Sequence, residues 1–219
     1  MNKAVIFDWD GTLADTRQVV VASFQKALSE VNCRISDGFI ERRIGIGSAE
    51  TFREILRSAN VRFDEALIKR LVKKKVQNEI AMSGGVHLFD GSIDLLTSLQ
   101  GKVKLGLASM NDREVINHLL KATSTQKFFD VIVTADDVVN SKPHPEIFLN
   151  CARKLESSPE KCVVIEDSIF GVEAAKNAKM GCIAVLTGVY SRRVLEKANP
   201  DLIVDSLKEK SRILNFIFG

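Results

Sequence analysis

Four prolines, four cysteines and three histidines are scattered through 219 residues, and no apolar run is long enough to cross a bilayer. Each scarcity excludes something. With so little proline, no low-complexity segment and no internal repeat, the chain is neither a flexible linker nor a repeat array. The cysteines (Cys33, Cys151, Cys162, Cys182) form no C-x-x-C pair. That argues against a zinc knuckle or a disulfide framework and points to a reducing compartment. Cys162 and Cys182 each begin an apolar run and read as small core residues. The histidines, His87, His118 and His144, need no catalytic assignment. No secretory h-region precedes the first acid, Asp8. A formal net charge of +3 is too mild for a nucleic-acid binder. The expectation is a cytoplasmic protein with no nucleic-acid and no membrane partner, a monomer or weak homodimer.

What is present suits a packed globule: 45% hydrophobic and 27% charged residues. The length allows one domain carrying a smaller insert. Charge is uneven along it. Residues 16–83 hold 13 Lys/Arg against 8 Asp/Glu, and the remainder holds 18 against 20. A basic segment opposite an acidic site would attract an anionic substrate. The Lys73-Lys74-Lys75 run supplies much of the excess and reads as a solvated helix face.

Apolar spacing predicts helices over 16–31, 48–59 and 64–80, with Gly45-Ile46-Gly47 as a break and Ser83-Gly84-Gly85 as a hinge. Beyond the hinge the pattern changes. Short apolar runs at 103–108, 131–134, 162–165, 182–186 and 202–204 alternate with helix candidates at 92–99, 112–120, 145–154, 169–178 and 206–216. Such alternation predicts an α/β fold, a mainly parallel sheet covered on both faces. The strand at 4–8 belongs to that sheet. The core is therefore 1–15 and 84–219, and 16–83 is an all-helical insertion.

Four sites share one placement, each closing an apolar run or opening a helix. Asp8 and Asp10, in Phe7-Asp8-Trp9-Asp10-Gly11-Thr12, set two carboxylates side by side at a strand end. They repel unless a proton or a cation relieves them, and Mg²⁺, which takes oxygen ligands, suits them. Ser109, in Ala108-Ser109-Met110-Asn111, is either a helix cap or, with nearby backbone N–H groups, a phosphoryl-binding hydroxyl. Lys142 lies in Ser141-Lys142-Pro143-His144-Pro145, where two prolines stiffen the loop that aims its ammonium. Glu166-Asp167-Ser168 follows the run Val163–Ile165 with a second acid pair. Any one alone reads as a cap or turn; the four together form a constellation.

In this order the four resemble the haloacid dehalogenase superfamily of phosphohydrolases, across essentially the whole chain. The match to its first motif runs from Asp8 to Asp15; Ser109, Lys142 and Glu166-Asp167 match the next three. The resemblance implies a Rossmann-like core with an inserted helical cap. It implies a Mg²⁺-dependent phosphatase acting on a small phosphorylated metabolite, phosphoglycolate or a sugar phosphate. Asp8 would attack phosphorus to give an aspartyl-phosphate, and Asp10 would act as general acid and then base. Mg²⁺ would sit on Asp8, the Asp10 carbonyl and Asp167, with Glu166 direct or through water. Ser109 and the amides of Met110 and Asn111 would bind the phosphoryl group, and Lys142 would orient Asp8. The chain is similar to the phosphoglycolate phosphatase and β-phosphoglucomutase branches. A mutase would place a His where this chain has Val20. A phospho-aspartate signalling or binding module is the non-enzyme alternative, but it would carry no helical insert after the first strand.

Overall fold

In the computed structural model, which describes residues 3–219, strand β1 (Ala4–Phe7) leads to a two-residue strand, β2 (Ala14–Asp15). Helices α1 (Arg17–Leu28), α2 (Asp37–Glu41), α3 (Ser48–Ser58) and α4 (Glu65–Met82) follow without a strand among them. The chain returns through β3 (His87–Leu88), antiparallel to β2, and α5 (Ser92–Leu99). It then alternates regularly: β4 (Lys104–Ala108), α6 (Arg113–Ala122), β5 (Val131–Val133), α7 (Glu146–Lys154), β6 (Cys162–Glu166), α8 (Ile169–Asn177), β7 (Gly181–Val185), α9 (Arg192–Lys197), β8 (Leu202–Val204) and α10 (Lys210–Phe218). Six strands form one parallel sheet in the order β5-β4-β1-β6-β7-β8.

β1 lies inside that sheet, so both its faces are covered and its four residues are all apolar. Val5 and Phe7 join the core layer that includes Leu95, Leu119 and Ile213; Ala4 and Ile6 join the opposite layer with Phe148 and Val172. Phe7 pairs with Leu107 on one side and Ile165 on the other. The next residue, Asp8, therefore emerges between the carboxyl ends of β4 and β6, its N–H donating to Ile165 O at 3.0 Å. The chain leaves β1 toward β4 and leaves β6 toward β7. That divergence opens a crevice at the strand ends, the usual ligand position in an open α/β sheet.

α1, α3 and α4 bury a cluster of their own, including Phe24, Phe52, Ile55 and Leu71, with the Phe24 and Phe52 rings 4.7 Å apart. The expected helices are present within a few residues at each end, except at the C-terminus. There Ser206 heads a turn and α10 begins only at Lys210. α2, α9 and the β2–β3 ladder were not predicted; all are too short to show a period. The 3₁₀ turn Ser83–Gly85 stands where the hinge was expected, and a Cβ on Gly84 or Gly85 would meet nothing within 4 Å. All four cysteines are free thiols and buried.

Gly106, in β4, is the opposite case: a Cβ there would lie 2.5 Å from Cys151 Sγ on α7 and 3.0 Å from Cδ1 of Leu155, which caps that helix. Gly106→Val should therefore overpack this contact and lower stability by about 1–3 kcal/mol, read as a lower denaturation midpoint in urea.

Candidate active site

β1, β6 and the loop before α7 bring three buried charges together. Lys142 Nζ lies 2.7 Å from Asp8 Oδ1 and 2.7 Å from Glu166 Oε1, 4.9 Å above the Phe148 ring centroid. Burial alone would pull the ammonium toward neutrality, but the two carboxylates outweigh it and hold Lys142 charged. Glu166 Oε2 accepts from the Asp167 N–H, the Ser168 N–H and the Ser168 hydroxyl, at 2.8, 2.8 and 3.0 Å. Gly171 makes this possible, since a Cβ there would fall 1.8 Å from Glu166 Oε1.

Asp167 faces the crevice from the other side. Thr12 Oγ1 donates to its Oδ1 at 3.1 Å, and Cβ atoms on Gly11 and Gly188 would lie 2.4 and 1.8 Å from its Oδ2. Gly11 also holds φ at +84°, a region open mainly to glycine. Asp8 Oδ2 and Asp167 Oδ2 accept no hydrogen bond among the described residues. Burial pushes Asp8 up to about 8, with Lys142 opposing and the Glu166 and Asp10 charges adding; burial and the Glu166 and Asp8 charges raise Asp167 well above the carboxylate range.

Asp10 lies past the end of β1, in a turn rather than one strand step from Asp8. Its Oδ1 accepts from Thr16 Oγ1 at 2.7 Å; its Oδ2 accepts from Ser109 Oγ at 3.3 Å and Asn111 Nδ2 at 3.4 Å. Burial, then the charge of Glu79, raises it to about 6. Trp9 turns into the core. The Met110 N–H donates to no described residue, whereas the Asn111 N–H, expected to hold a phosphoryl oxygen, donates to Ser109 Oγ at 3.1 Å.

The expected cation ligands thus divide. No three His, Cys, Asp or Glu side chains among the described residues are arranged to hold a metal ion. Glu166 is turned to Lys142 and Ser168; the Asp10 carboxylate is turned to hydroxyls and an amide, its expected ligand being the backbone carbonyl. Two raised, incompletely satisfied carboxylates remain, Asp8 and Asp167. A hard cation that keeps several waters fits that donor set.

The sequence reading missed two residues on α4. Lys75, expected in solvent, is 2% exposed, and Glu79 is 1% exposed. Lys75 Nζ lies 2.5 Å from Glu79 Oε2 and donates to Asn111 Oδ1 at 2.8 Å, while Asn111 Nδ2 donates to Glu79 Oε1 at 2.7 Å. Ile68, Leu71, Lys75 and Glu79 recur at helical spacing on the buried face. A Lys and a Glu four apart on that stripe were the available signal. Arg53 forms ion pairs with Glu50 and Glu65, and His144 is exposed in the loop after Lys142. His118 Nε2 lies 2.9 Å from Ser83 Oγ at the hinge.

Removing the central ammonium leaves two buried carboxylates unpaired. Lys142→Met should cost about 3–5 kcal/mol at pH 7.5. The loss should shrink as pH falls through about 8, where the raised Asp8 carboxyl takes up a proton instead, a trend that melting temperatures on either side of that pH will show.

Residues 5–185 match the family model described as haloacid dehalogenase-like hydrolase. A pyrophosphatase, PpaX, of Oceanobacillus iheyensis is 29% identical over 99% of both chains. A phosphorylated carbohydrates phosphatase of Thermotoga maritima is 30% identical over 94% of this chain and 99% of its own. The crystal structure of a β-phosphoglucomutase from Clostridium difficile superposes with a TM-score of 0.84 at 29% identity, covering 99% of this chain and 100% of that one. With the sheet order and the four sites around the crevice, these matches place the chain in the haloacid dehalogenase-like hydrolase family.

Proposed function

We propose that the chain is a Mg²⁺-dependent phosphatase of small phosphorylated metabolites that works through a phosphorylated Asp8. The observation that carries this reading is the state of Asp8: Lys142 holds one carboxylate oxygen at 2.7 Å, and the other accepts no hydrogen bond among the described residues. A carboxylate fixed at one oxygen keeps the second free to attack, which is what nucleophilic catalysis asks of it. Asp8 and Asp167, with the Asp10 carbonyl, would hold Mg²⁺, whose charge offsets theirs and that of the phosphoryl group.

Asp8 forms a bond to phosphorus as the bond to the leaving oxygen breaks, and the Asp10 carboxyl gives that oxygen its proton. Asp10, now ionised, takes a proton from water as the water oxygen bonds to phosphorus and the bond to Asp8 breaks. Its pKa of about 6 suits a group that both gives and takes a proton near neutrality. The Met110 N–H and the Ser109 hydroxyl would steady the phosphoryl oxygens. Val20 supports hydrolysis over a mutase, because it lines the small cavity beside Asp10 with an apolar side chain.

The helical segment would serve as a cap. Ser48 Oγ donates to Asp112 Oδ2 at 2.7 Å and Tyr190 Oη to the Arg42 carbonyl at 2.7 Å, contacts that join it to the sheet side of the crevice. Its closure would keep bulk water from the aspartyl-phosphate.

Phosphate release with Mg²⁺ should vanish in EDTA and in Asp8→Asn, and Asp10→Asn should lower kcat by about 10²–10⁴-fold. Activity retained in Asp8→Asn would refute the covalent route. The metal-free acids hold protons below their raised pKa values, about 8 for Asp8. Cation binding must expel those protons, so the Mg²⁺-induced rise in melting temperature should be larger at pH 8 than at pH 6.

A further inference from the structure

Two cavities flank Asp10, where the leaving group of a phosphate ester would lie. One, of about 180 Å³, is lined by Asp10, Asp15, Arg17 and Asp167 among its charged residues. The other, of about 20 Å³, lies against the helical segment, and its charged lining residues are Asp10, Arg43 and Lys75. Every cation in these linings already has a carboxylate partner. Arg17 Nε lies 3.4 Å from Glu41 Oε1, and Arg43 Nε 2.5 Å from Glu54 Oε2. Lys75 Nζ lies 2.5 Å from Glu79 Oε2 and 3.8 Å from Asp112 Oδ2. Lys142, deeper in the site, is committed to Asp8 and Glu166.

We infer that the site selects phosphomonoesters whose leaving group is a compact, uncharged alcohol, such as a polyol or sugar hydroxyl, over those whose leaving group is itself an anion. This rests on the phosphatase reading above. Lys142 and the cation answer the charge of the phosphoryl end. At the other end, a second carboxylate or phosphate meets Asp10 and three cations that are already neutralised. It must separate one of those ion pairs or lie unpaired beside the Asp10 carboxylate, where like charges repel. An alcohol needs only hydrogen bonds. Ser48 and Thr51 line the smaller cavity, and each donates its proton within the protein, to Asp112 Oδ2 and the Gly47 carbonyl. Their oxygens keep lone pairs that can accept from a substrate hydroxyl. The smaller cavity has room for about one water, so a bulky group enters only if the helices shift.

Glu79 is the specificity-determining residue in this account, because it cancels the charge of Lys75; Glu54 does the same for Arg43. The test compares initial rates with Mg²⁺ on glycerol 3-phosphate, ribose 5-phosphate and glucose 6-phosphate against phosphoglycolate and pyrophosphate. The best neutral-alcohol ester should exceed both anionic-leaving-group substrates in kcat/KM by at least about tenfold. Glu79→Gln leaves Lys75 with only the more distant Asp112 to offset its charge while keeping an acceptor for Asn111 Nδ2. It should shrink that ratio by about tenfold, chiefly by lowering KM for the anionic substrates. Glu54→Gln, at a side chain 37% exposed and so tolerant of substitution, should shift the ratio in the same direction. Turnover of phosphoglycolate or pyrophosphate as fast as any neutral-alcohol ester, or a ratio unmoved in both variants, overturns the inference and leaves the phosphatase reading standing. No phosphate released from any of the five compounds overturns both.

Discussion

The site turns on one ammonium group. Lys142 lies between Asp8, which follows β1, and Glu166, which ends the neighbouring β6, and neither carboxylate could be buried there without it. Much of the local architecture serves that contact. Two prolines close to Lys142 restrict the loop that delivers it, Phe148 lies beneath its charge, and Gly171 clears the space into which Glu166 turns. With Lys142 and Glu166 satisfying each other, Asp8 keeps one oxygen open to the crevice. Asp167 keeps one as well. The chemistry proposed for the site follows from those two incompletely satisfied oxygens.

A second layer of charge lies above the first. Lys75 and Glu79 reach from α4 to the amide of Asn111, which also touches Asp10. The ordering of the acid thus depends partly on a helix far from it in sequence. Because these groups are nearly free of solvent, their mutual attraction is screened little and their net charge matters more than their number. Balanced ion pairs around Asp10 make the leaving-group side close to neutral, although residues 16–83 carry an excess of basic side chains. The excess lies elsewhere on that segment, at positions such as Lys73, which is exposed.

Much of this was legible in the sequence. β1 and β6 read as strands because both are apolar on two faces, and the acids that end them marked the strand tips. Lys142 stood out because two prolines, Pro143 and Pro145, follow it closely. The two-residue strands β2 and β3 carried no pattern to find. Asp10 was expected one strand step from Asp8, but β1 stops at Phe7 and a turn carries Asp10 to Thr16 and Ser109. Glu166 was expected beside the cation, directly or through water. Its orientation depends on N–H groups of its own loop and on the missing side chain of Gly171, and neither is visible as a motif. Lys75 was hidden by its neighbours, since three consecutive lysines read as a wet surface until the phase of the helix shows that one of them points inward.

The four thiols divide between the two parts of the molecule. Cys33 lies in the cluster formed by the helical segment, and Cys151, Cys162 and Cys182 lie in the sheet layers. Burial raises the pKa of every one of them, so none is a ready thiolate in the folded chain. Alkylation therefore becomes a clock for local opening, with a separate hand on each part. Cys33 registers loosening of the helices, and the other three register loosening of the sheet. A chain that contains no reactive cysteine carries in those four positions a native record of which half of it opens first.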